Sequence, residues 1–275
     1  MTQPILETPH LRMPRLGLGT WPMKGAECSA AVQSALALGY RHIDTAEMYG
    51  NEDAVGAGIA ASDVPREDIF LTTKIWNDKP NGAAIRSAFD ASLKRLATPY
   101  VDLLLIHWPS PELDLPDALA GLAAIRAEGR AKAIGVSNFP PKLLQRAIDH
   151  GVGLAALQVE CHALLDQSRL LEICRANGMV LTAYSPLGKG QAPDQPVLQQ
   201  VAKKHGATAA QVALAWLLAQ PGVAMVPKAA SRARQAENLA ALELALDAAD
   251  LAAIAALPKD RRFVNPGMAP DWVNG

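Results

Sequence analysis

The sequence predicts an α/β fold, a (β/α)8 TIM barrel in a single domain spanning residues 1–275, with an N-terminal β-hairpin and a short C-terminal tail. Three observations carry that expectation. Short apolar runs alternate eight times with helical stretches. Several strands read apolar throughout rather than alternating, as strands buried on both faces do. Three successive runs also end in residues with chemistry to offer, and in a parallel barrel those ends share the face where active sites lie.

Residues 1–15, punctuated by Pro4, Pro9 and Pro14, suit a small hairpin that plugs one end of the barrel. The first barrel strand is brief, Leu16 to Gly19, followed by Thr20 and Trp21. Residues 26–38 have helical spacing, with Ala31, Ala35 and Leu38 on one stripe and Gly39 as the stop. Strand 42–45 leads to helix 51–61, with Asn51 as its N-cap. Strand 69–74 precedes helix 82–96, and strand 101–107 precedes helix 114–128, closed by Gly129. Strand 131–137 leads to a helix opening near Pro140 and Pro141, since proline suits a first helical turn. Strand 156–160 is followed by helix 167–177, stopped by Gly178. Strand 180–184 runs through SPLGKGQ to helical segments at 196–205 and 208–219. Residues 223–227 form the eighth strand, before helices 232–241 and 247–256 and a loop-like tail.

Half of the residues are hydrophobic, enough for a large core, and 26 basic against 27 acidic residues leave a formal net charge of −1. That balance offers neither a nucleic-acid surface nor an acidic tail. Cys28, Cys161 and Cys174 are odd in number and lack C-x-x-C spacing, so buried reduced thiols are expected rather than a disulfide framework or a zinc site. The N-terminus lacks the basic start and apolar core of a signal peptide. No apolar run approaches the roughly 18 residues of a membrane span. The expected setting is a reducing cytoplasm, without membrane, nucleic acid or metal.

The stretch HIDTAEMYGNE (42–52) places Asp44 at a strand end and Tyr49 in the turn beyond it. FLTTK ends in Lys74 and VDLLLIH ends in His107. A buried Lys74 needs a partner, which Asp44 can supply. Taken alone, that pair reads as a structural ion pair. Tyr49 alters the balance, because an ammonium lowers the pKa of a nearby phenol from its usual value near 10 and makes it a better proton donor. His107, alone more often a satisfied core residue, could as a fourth member hydrogen-bond a substrate oxygen or relay a proton. The chemistry that fits is protonation of an oxygen becoming an alkoxide, that is, carbonyl reduction with hydride from elsewhere.

A dinucleotide fingerprint is not the source of that hydride. Gly56 to Ala61 matches G-x-G-x-x-A but sits within a helical stretch, where Gly56 and Gly58 serve close packing. A phosphate site is better placed at VPKAASRARQAEN (226–238), where Lys228, Arg232 and Arg234 cluster as strand eight passes into a helix. Ser137, Asn138 and Gln158 could hydrogen-bond a carboxamide and Tyr184 could stack on its ring, although each alone reads as a turn or capping residue. Trp21, Trp76 and Trp108 follow strands one, three and four, and either wall a pocket or pack the rim. His42, His150, His162 and His205 read as structural.

The stretches GLGTW (17–21), RHIDTAEMYGNE (41–52), TTKIWN (72–77), VDLLLIHWP (101–109), GVSNF (135–139), QVECH (158–162), AYSPLG (183–188) and VPKAASRARQAEN together resemble the aldo-keto reductases along nearly the whole chain. That resemblance implies a barrel that binds extended NADPH at its C-terminal face, with Asp44, Tyr49, Lys74 and His107 as the catalytic set. It implies that Ser137, Asn138 and Gln158 hold the carboxamide and Tyr184 stacks on the nicotinamide. Ser185 and Leu187 would line the pyrophosphate path. Lys228 and Arg234 would bind the 2′-phosphate, and Glu237 and Asn238 would contact the adenine. Thr20, Asp44 and Ser231 complete the implied cofactor set, and Trp21, Tyr49, Trp76, His107 and Trp108 the implied substrate pocket. Ala229 stands where the family usually has serine, leaving Ser231 to replace a phosphate hydrogen bond, and Ala163 replaces a common proline.

The tail NPGMAPDW (265–272) and the HWPSP segment look most like bacterial 2,5-diketo-D-gluconate reductases of the B type, which also reduce methylglyoxal. The implied protein is a monomeric NADPH-dependent reductase with an open pocket for small polar carbonyls. The alternative is an NADPH-binding regulatory or scaffold protein with little turnover, as potassium-channel β-subunits of the superfamily illustrate. A weaker one is a barrel that uses Lys74 for Schiff-base chemistry.

Overall fold

The computed structural model describes residues 3–272. The first two residues of the expected hairpin segment, and residues 273–275 of the expected domain, lie outside the described residues. Strands β1 (Ile5–Thr8) and β2 (Leu11–Pro14) pair antiparallel. Leu11 and Met13 pack in one cluster with Phe70, Ala156 and Val180, the first residues of their strands, so the hairpin plugs that end.

Eight parallel strands follow, and their order in space is their order in sequence. They are β3 (Leu18–Gly19), β4 (His42–Asp44), β5 (Phe70–Ile75), β6 (Val101–Ile106), β7 (Ala131–Ser137), β8 (Ala156–Glu160), β9 (Val180–Tyr184) and β10 (Val223–Met225). The ring closes through single bridges, Leu16 to Met225 and Gly19 to Lys228. At this seam the Gly17 N–H donates to Met225 O at 2.8 Å and the Gly19 N–H to Pro227 O at 3.1 Å. A Cβ on Gly19 would lie 2.5 Å from the Val226 carbonyl oxygen, so only glycine permits the approach. The eighth strand stops at Met225 rather than at residue 227, where Pro227 has no N–H for a ladder.

The helices are α1 (Gly25–Leu38), α2 (Glu52–Ala60), α3 (Gly82–Leu96), α4 (Leu115–Ala127), α5 (Pro141–Asp149), α6 (Ser168–Ala176), α7 (Pro196–His205), α8 (Ala209–Leu218), α9 (Arg232–Ala240) and α10 (Ala248–Ala255). A contiguous apolar layer between strands and helices forms the main core. Gly39 ends α1 in the left-handed conformation, φ 106°, as its position predicts. In α2, a Cβ on Gly56 would meet Leu96 O at 2.5 Å and one on Gly58 would meet Ser29 O at 2.6 Å. These two glycines are contact points for α3 and α1, the packing role expected of them.

Asn51 departs from expectation. It precedes α2 but makes no side-chain cap. Its amide turns inward, accepting from Thr45 Oγ1 at 2.8 Å and donating to Met23 O at 2.9 Å. At 1% exposure it must satisfy its polar atoms within the loop that carries Tyr49, and buried partners there win over the helix end. Cys28, Cys161 and Cys174 are free and buried. Among the described residues no helix is long and apolar enough to cross a membrane.

Candidate active site

Three strands bring their carboxyl ends together. Asp44 is the last residue of β4, Lys74 the penultimate residue of β5, and His107 directly follows β6. Tyr49 ends a short 3-10 turn, Glu47–Tyr49, which Gly50 stops in the left-handed region. The Lys24 ammonium donates to the Tyr49 carbonyl, and the Glu47 carboxylate accepts the Trp76 N–H at 2.9 Å. Both bonds fix the turn against its neighbours.

Lys74 is fully buried and donates to Asp44 Oδ1 at 2.6 Å, Thr45 O at 2.8 Å and the Tyr49 hydroxyl at 3.4 Å. The other Asp44 oxygen accepts from Gln158 Nε2 at 2.7 Å. Burial alone would depress Lys74, but the Asp44 carboxylate and the Tyr49 oxygen outweigh it and raise its pKa. Lys74 is therefore a cation at neutral pH. For Tyr49 the balance runs the other way. Burial pushes the phenol up, Lys74 pulls it down, and burial prevails. The lysine acts in the expected direction without producing the expected net lowering, because losing water costs a phenolate more than this ammonium returns. Tyr49 keeps its proton at neutral pH.

His107 is buried, its ring edge-on to Tyr49 at 5.5 Å and to Trp76 at 5.2 Å between centroids. Burial, with the nearby Lys74 charge, holds it well below the ordinary histidine pKa, so the imidazole is neutral. Its Nδ1 is enclosed and has no hydrogen-bond partner among the described residues.

A cavity of about 250 Å³ opens over these groups, and Thr20, Trp21, Asp44, Tyr49, His107, Trp108, Asn138, Tyr184, Ser185 and Lys228 all line it. Ser137 and Gln158 stand behind the wall, both buried. Ser137 Oγ donates to Gln158 O at 2.8 Å, Asn138 Nδ2 to His107 O at 2.9 Å, and the Tyr184 hydroxyl to Asn138 Oδ1 at 2.8 Å. These bonds join the ends of β6, β7, β8 and β9. Asn138 and Ser185 have φ of 61° and 47°, a left-handed region uncommon outside glycine and better tolerated by asparagine. Trp76 touches the His107 ring but does not line the cavity.

Leu187, Ser231, Arg234, Glu237 and Asn238 are not brought to this cavity. Leu187 packs on the core. Ser231 is the N-cap of α9, its hydroxyl accepting the Arg234 N–H at 3.4 Å. Lys228, Arg232 and Arg234 are exposed around that helix start, and no carboxylate pairs with any of them among the described residues. Ala229 is buried with the core, and Gln235 Nε2 holds its carbonyl at 3.0 Å while also reaching Ala31 O at 2.9 Å.

Met48, Lys189 and Val264 line the cavity without having been singled out in the sequence. Lys189 had a signal, the GKG within SPLGKGQ, where φ is positive at all three residues. Val264 had none, because its place depends on the return of the tail. A larger cavity of about 460 Å³, lined by Arg12, Arg41 and Asp102 among others, lies at the hairpin end, away from this constellation. Among the described residues no group of three or more His, Cys, Asp or Glu could hold a metal ion.

The sequence profile of the Aldo/keto reductase family matches residues 15–259. The chain belongs to this family. Among its relatives, an aldo-keto reductase of Mycolicibacterium smegmatis is 42% identical over 253 residues, covering 91% of this chain and 92% of the relative. Methylglyoxal reductase DkgB of Salmonella typhi is 40% identical over 270 residues, covering 95% of this chain and 100% of that one. A crystal structure assigned as a 2,5-diketo-D-gluconic acid reductase B superposes with a TM-score of 0.91 at 42% identity, over 94% of this chain and 93% of that one. This aldo/keto reductase thus shares fold and extensive sequence with proteins named methylglyoxal reductase and 2,5-diketo-D-gluconic acid reductase B.

Proposed function

We propose that this aldo/keto reductase is a single-domain, monomeric cytoplasmic enzyme that uses NADPH to reduce small aldehydes and ketones of the methylglyoxal and 2,5-diketo-D-gluconate type. The observation that carries the reading is the buried hydrogen-bond chain from Gln158 through Asp44 and Lys74 to the Tyr49 hydroxyl, opening on the cavity beside His107. When bound, NADPH supplies hydride to the carbonyl carbon. The residues fit such a cofactor. Lys228, Arg232 and Arg234 are exposed cations at a helix start with no carboxylate partner among the described residues, the chemistry a nucleotide phosphate needs. Ser137, Asn138 and Gln158 offer amide and hydroxyl groups for a carboxamide, and Tyr184 offers a ring at the cavity wall.

The remaining work belongs to the chain. Tyr49 holds the proton that the carbonyl oxygen takes up. Lys74, kept positive by Asp44, lies 3.4 Å from that hydroxyl and stabilises the phenolate left behind. Each pKa unit of such differential stabilisation corresponds to about 1.4 kcal/mol. An enclosed N–H without an acceptor is the costlier orphan, so the proton of neutral His107 sits on Nε2 and orients the substrate oxygen by donation. The substrate class rests on the likeness to the methylglyoxal and diketogluconate reductases.

The test is the loss of reduced-nicotinamide absorbance with methylglyoxal, 2,5-diketo-D-gluconate and an aromatic aldehyde, using NADPH and NADH. Turnover is expected with NADPH and much less with NADH. Tyr49→Phe should bind NADPH normally and lose turnover, and a near-normal rate in that variant would overturn the proton-donor role. NADPH binding without turnover of any carbonyl would instead favour a regulatory protein.

A further inference from the structure

The tail after α10 crosses the mouth of the barrel from β8 toward the loops after β6 and β7. It starts as a bridge between Asp260 and Leu165, and the Arg261 N–H donates to Leu164 O at 3.0 Å. Farther on, Met268 and Pro270 share a groove with Pro109 and Pro140. Between these points the tail is held by a buried carboxylate. Glu160, the last residue of β8, is fully buried. Its Oε1 accepts the Phe263 N–H at 2.8 Å and its Oε2 the Val264 N–H at 2.9 Å. His162 Nε2 lies 3.0 Å from Oε1 and the Arg262 guanidinium 4.0 Å from Oε2. Burial alone would raise the Glu160 pKa, but the hydrogen bonds from His162 and the two backbone N–H groups bring it below the ordinary value. The group is an ionised acceptor, well suited to holding two backbone donors.

What it holds is part of the cavity wall. Val264 lines the cavity. The Arg262 guanidinium sits 3.7 Å over the Trp272 ring, and Trp272 Nε1 donates to Asn265 Oδ1 at 3.0 Å. Trp272 in turn packs edge-on against Trp108, another cavity residue, at 6.1 Å between centroids. One anchor thus sets two walls, directly through Val264 and at a distance through Trp272.

We infer that Glu160 is a positioning residue for the substrate pocket: its carboxylate seats the tail so that Val264 and, through Trp272, Trp108 form the wall against which the carbonyl compound binds. The inference takes its substrate from the proposed reductase activity, whereas the anchoring contact stands independently of it. Glutamine at this position would replace one acceptor with an N–H₂ donor and orphan one tail N–H. Hydrogen bonds to a charged acceptor are roughly twice as strong as neutral ones. The tail would then be seated for a smaller fraction of the time, and apparent substrate affinity would fall with that fraction.

The experiment compares the full-length wild type with Glu160→Gln, Trp272→Ala and the double variant. In wild type the Phe263 and Val264 amides should exchange hydrogen slowly. In Glu160→Gln the amides of the 261–272 tail should exchange at least about tenfold faster, with strand amides unchanged. The KM for methylglyoxal should rise about tenfold while kcat and NADPH affinity stay within about twofold. The double variant should raise KM no further than the worse single variant, because both act through one seated tail. A purely structural Glu160 would lower kcat and stability together, leave KM unmoved and give additive effects, and that pattern overturns the inference. So does a freed tail with unchanged KM. Should Glu160→Gln fail to fold, fast exchange at Phe263 and Val264 in wild type still rejects the anchor. If wild type reduces no carbonyl, the reductase reading fails while the exchange data still decide whether Glu160 holds the tail.

Discussion

Replacing Asp44 with asparagine removes the carboxylate that Lys74 is paired with. Lys74 is fully buried and its remaining partners, the Thr45 carbonyl and the Tyr49 hydroxyl, are neutral. Asparagine keeps one acceptor oxygen, but if that oxygen faces Lys74 its N–H₂ faces Gln158 Nε2, itself a donor. Breaking a buried pair by removing one partner costs about 3–5 kcal/mol. For a chain of this size that corresponds to a fall in Tm of about 6–10 °C. Turnover should fall at least about a hundredfold, the scale of a lost proton-transfer group, because Lys74 would no longer be held charged beside Tyr49.

The pH dependence supplies a sharper check. In wild type the folded pKa of Lys74 is raised, so its contribution is fully present below the ordinary lysine pKa and is lost as pH rises through the folded value. In Asp44→Asn, burial without the carboxylate depresses Lys74. The unfolded chain then binds the proton that the folded one sheds, and stability rises with pH toward the unfolded value of about 10.4. The gap in Tm between wild type and variant should therefore narrow from pH 7 toward pH 10, as read by differential scanning calorimetry alongside initial rates. A fall in Tm under about 2 °C, or a gap that does not narrow, would refute the view that Asp44 is what keeps Lys74 charged.

Lys228→Ala should weaken NADPH binding about tenfold or more while leaving NADH binding unchanged, as measured by fluorescence titration, and equal weakening of both would reject contact with a 2′-phosphate. Gly56→Ala should cost about 1–3 kcal/mol, since its Cβ would lie 2.5 Å from Leu96 O, and an unchanged Tm would show that α2 can shift away from α3. His42 is buried and neutral, its pKa lowered by burial from 6.5 to about 4. The unfolded chain therefore binds the extra proton between those values. Stability should fall as pH drops through that window, by about 3 kcal/mol from this residue alone, and urea unfolding at both ends that shows no loss would contradict its burial as a neutral ring.

Much of the site was legible because barrel geometry turns sequence order into position. Once HID, FLTTK and VDLLLIH are read as parallel strands, Asp44, Lys74 and His107 must gather at one end. The glycines of α2 were legible too, since a matching fingerprint inside a helix leaves packing as their use. Tyr49 was placed correctly, but the direction of its net pKa shift was not, because a lysine can be read from the sequence while the water excluded around a phenol cannot. Asn51 showed the same limit, since an asparagine immediately before a helix has a local reading as its cap that burial overrode.

The alternation of strands and helices, the residues at the strand ends, and the glycines where backbones must touch are written in the chain's local pattern. Those follow from side-chain periodicity and steric rules that act over a few residues. The closure of the ring at Gly19, the excess of burial over Lys74 at Tyr49, and the hold of Glu160 on Val264 at the cavity wall arise in the folded chain. Desolvation and buried hydrogen bonding depend on which atoms surround a group, and here those atoms come from segments of the chain far apart in sequence.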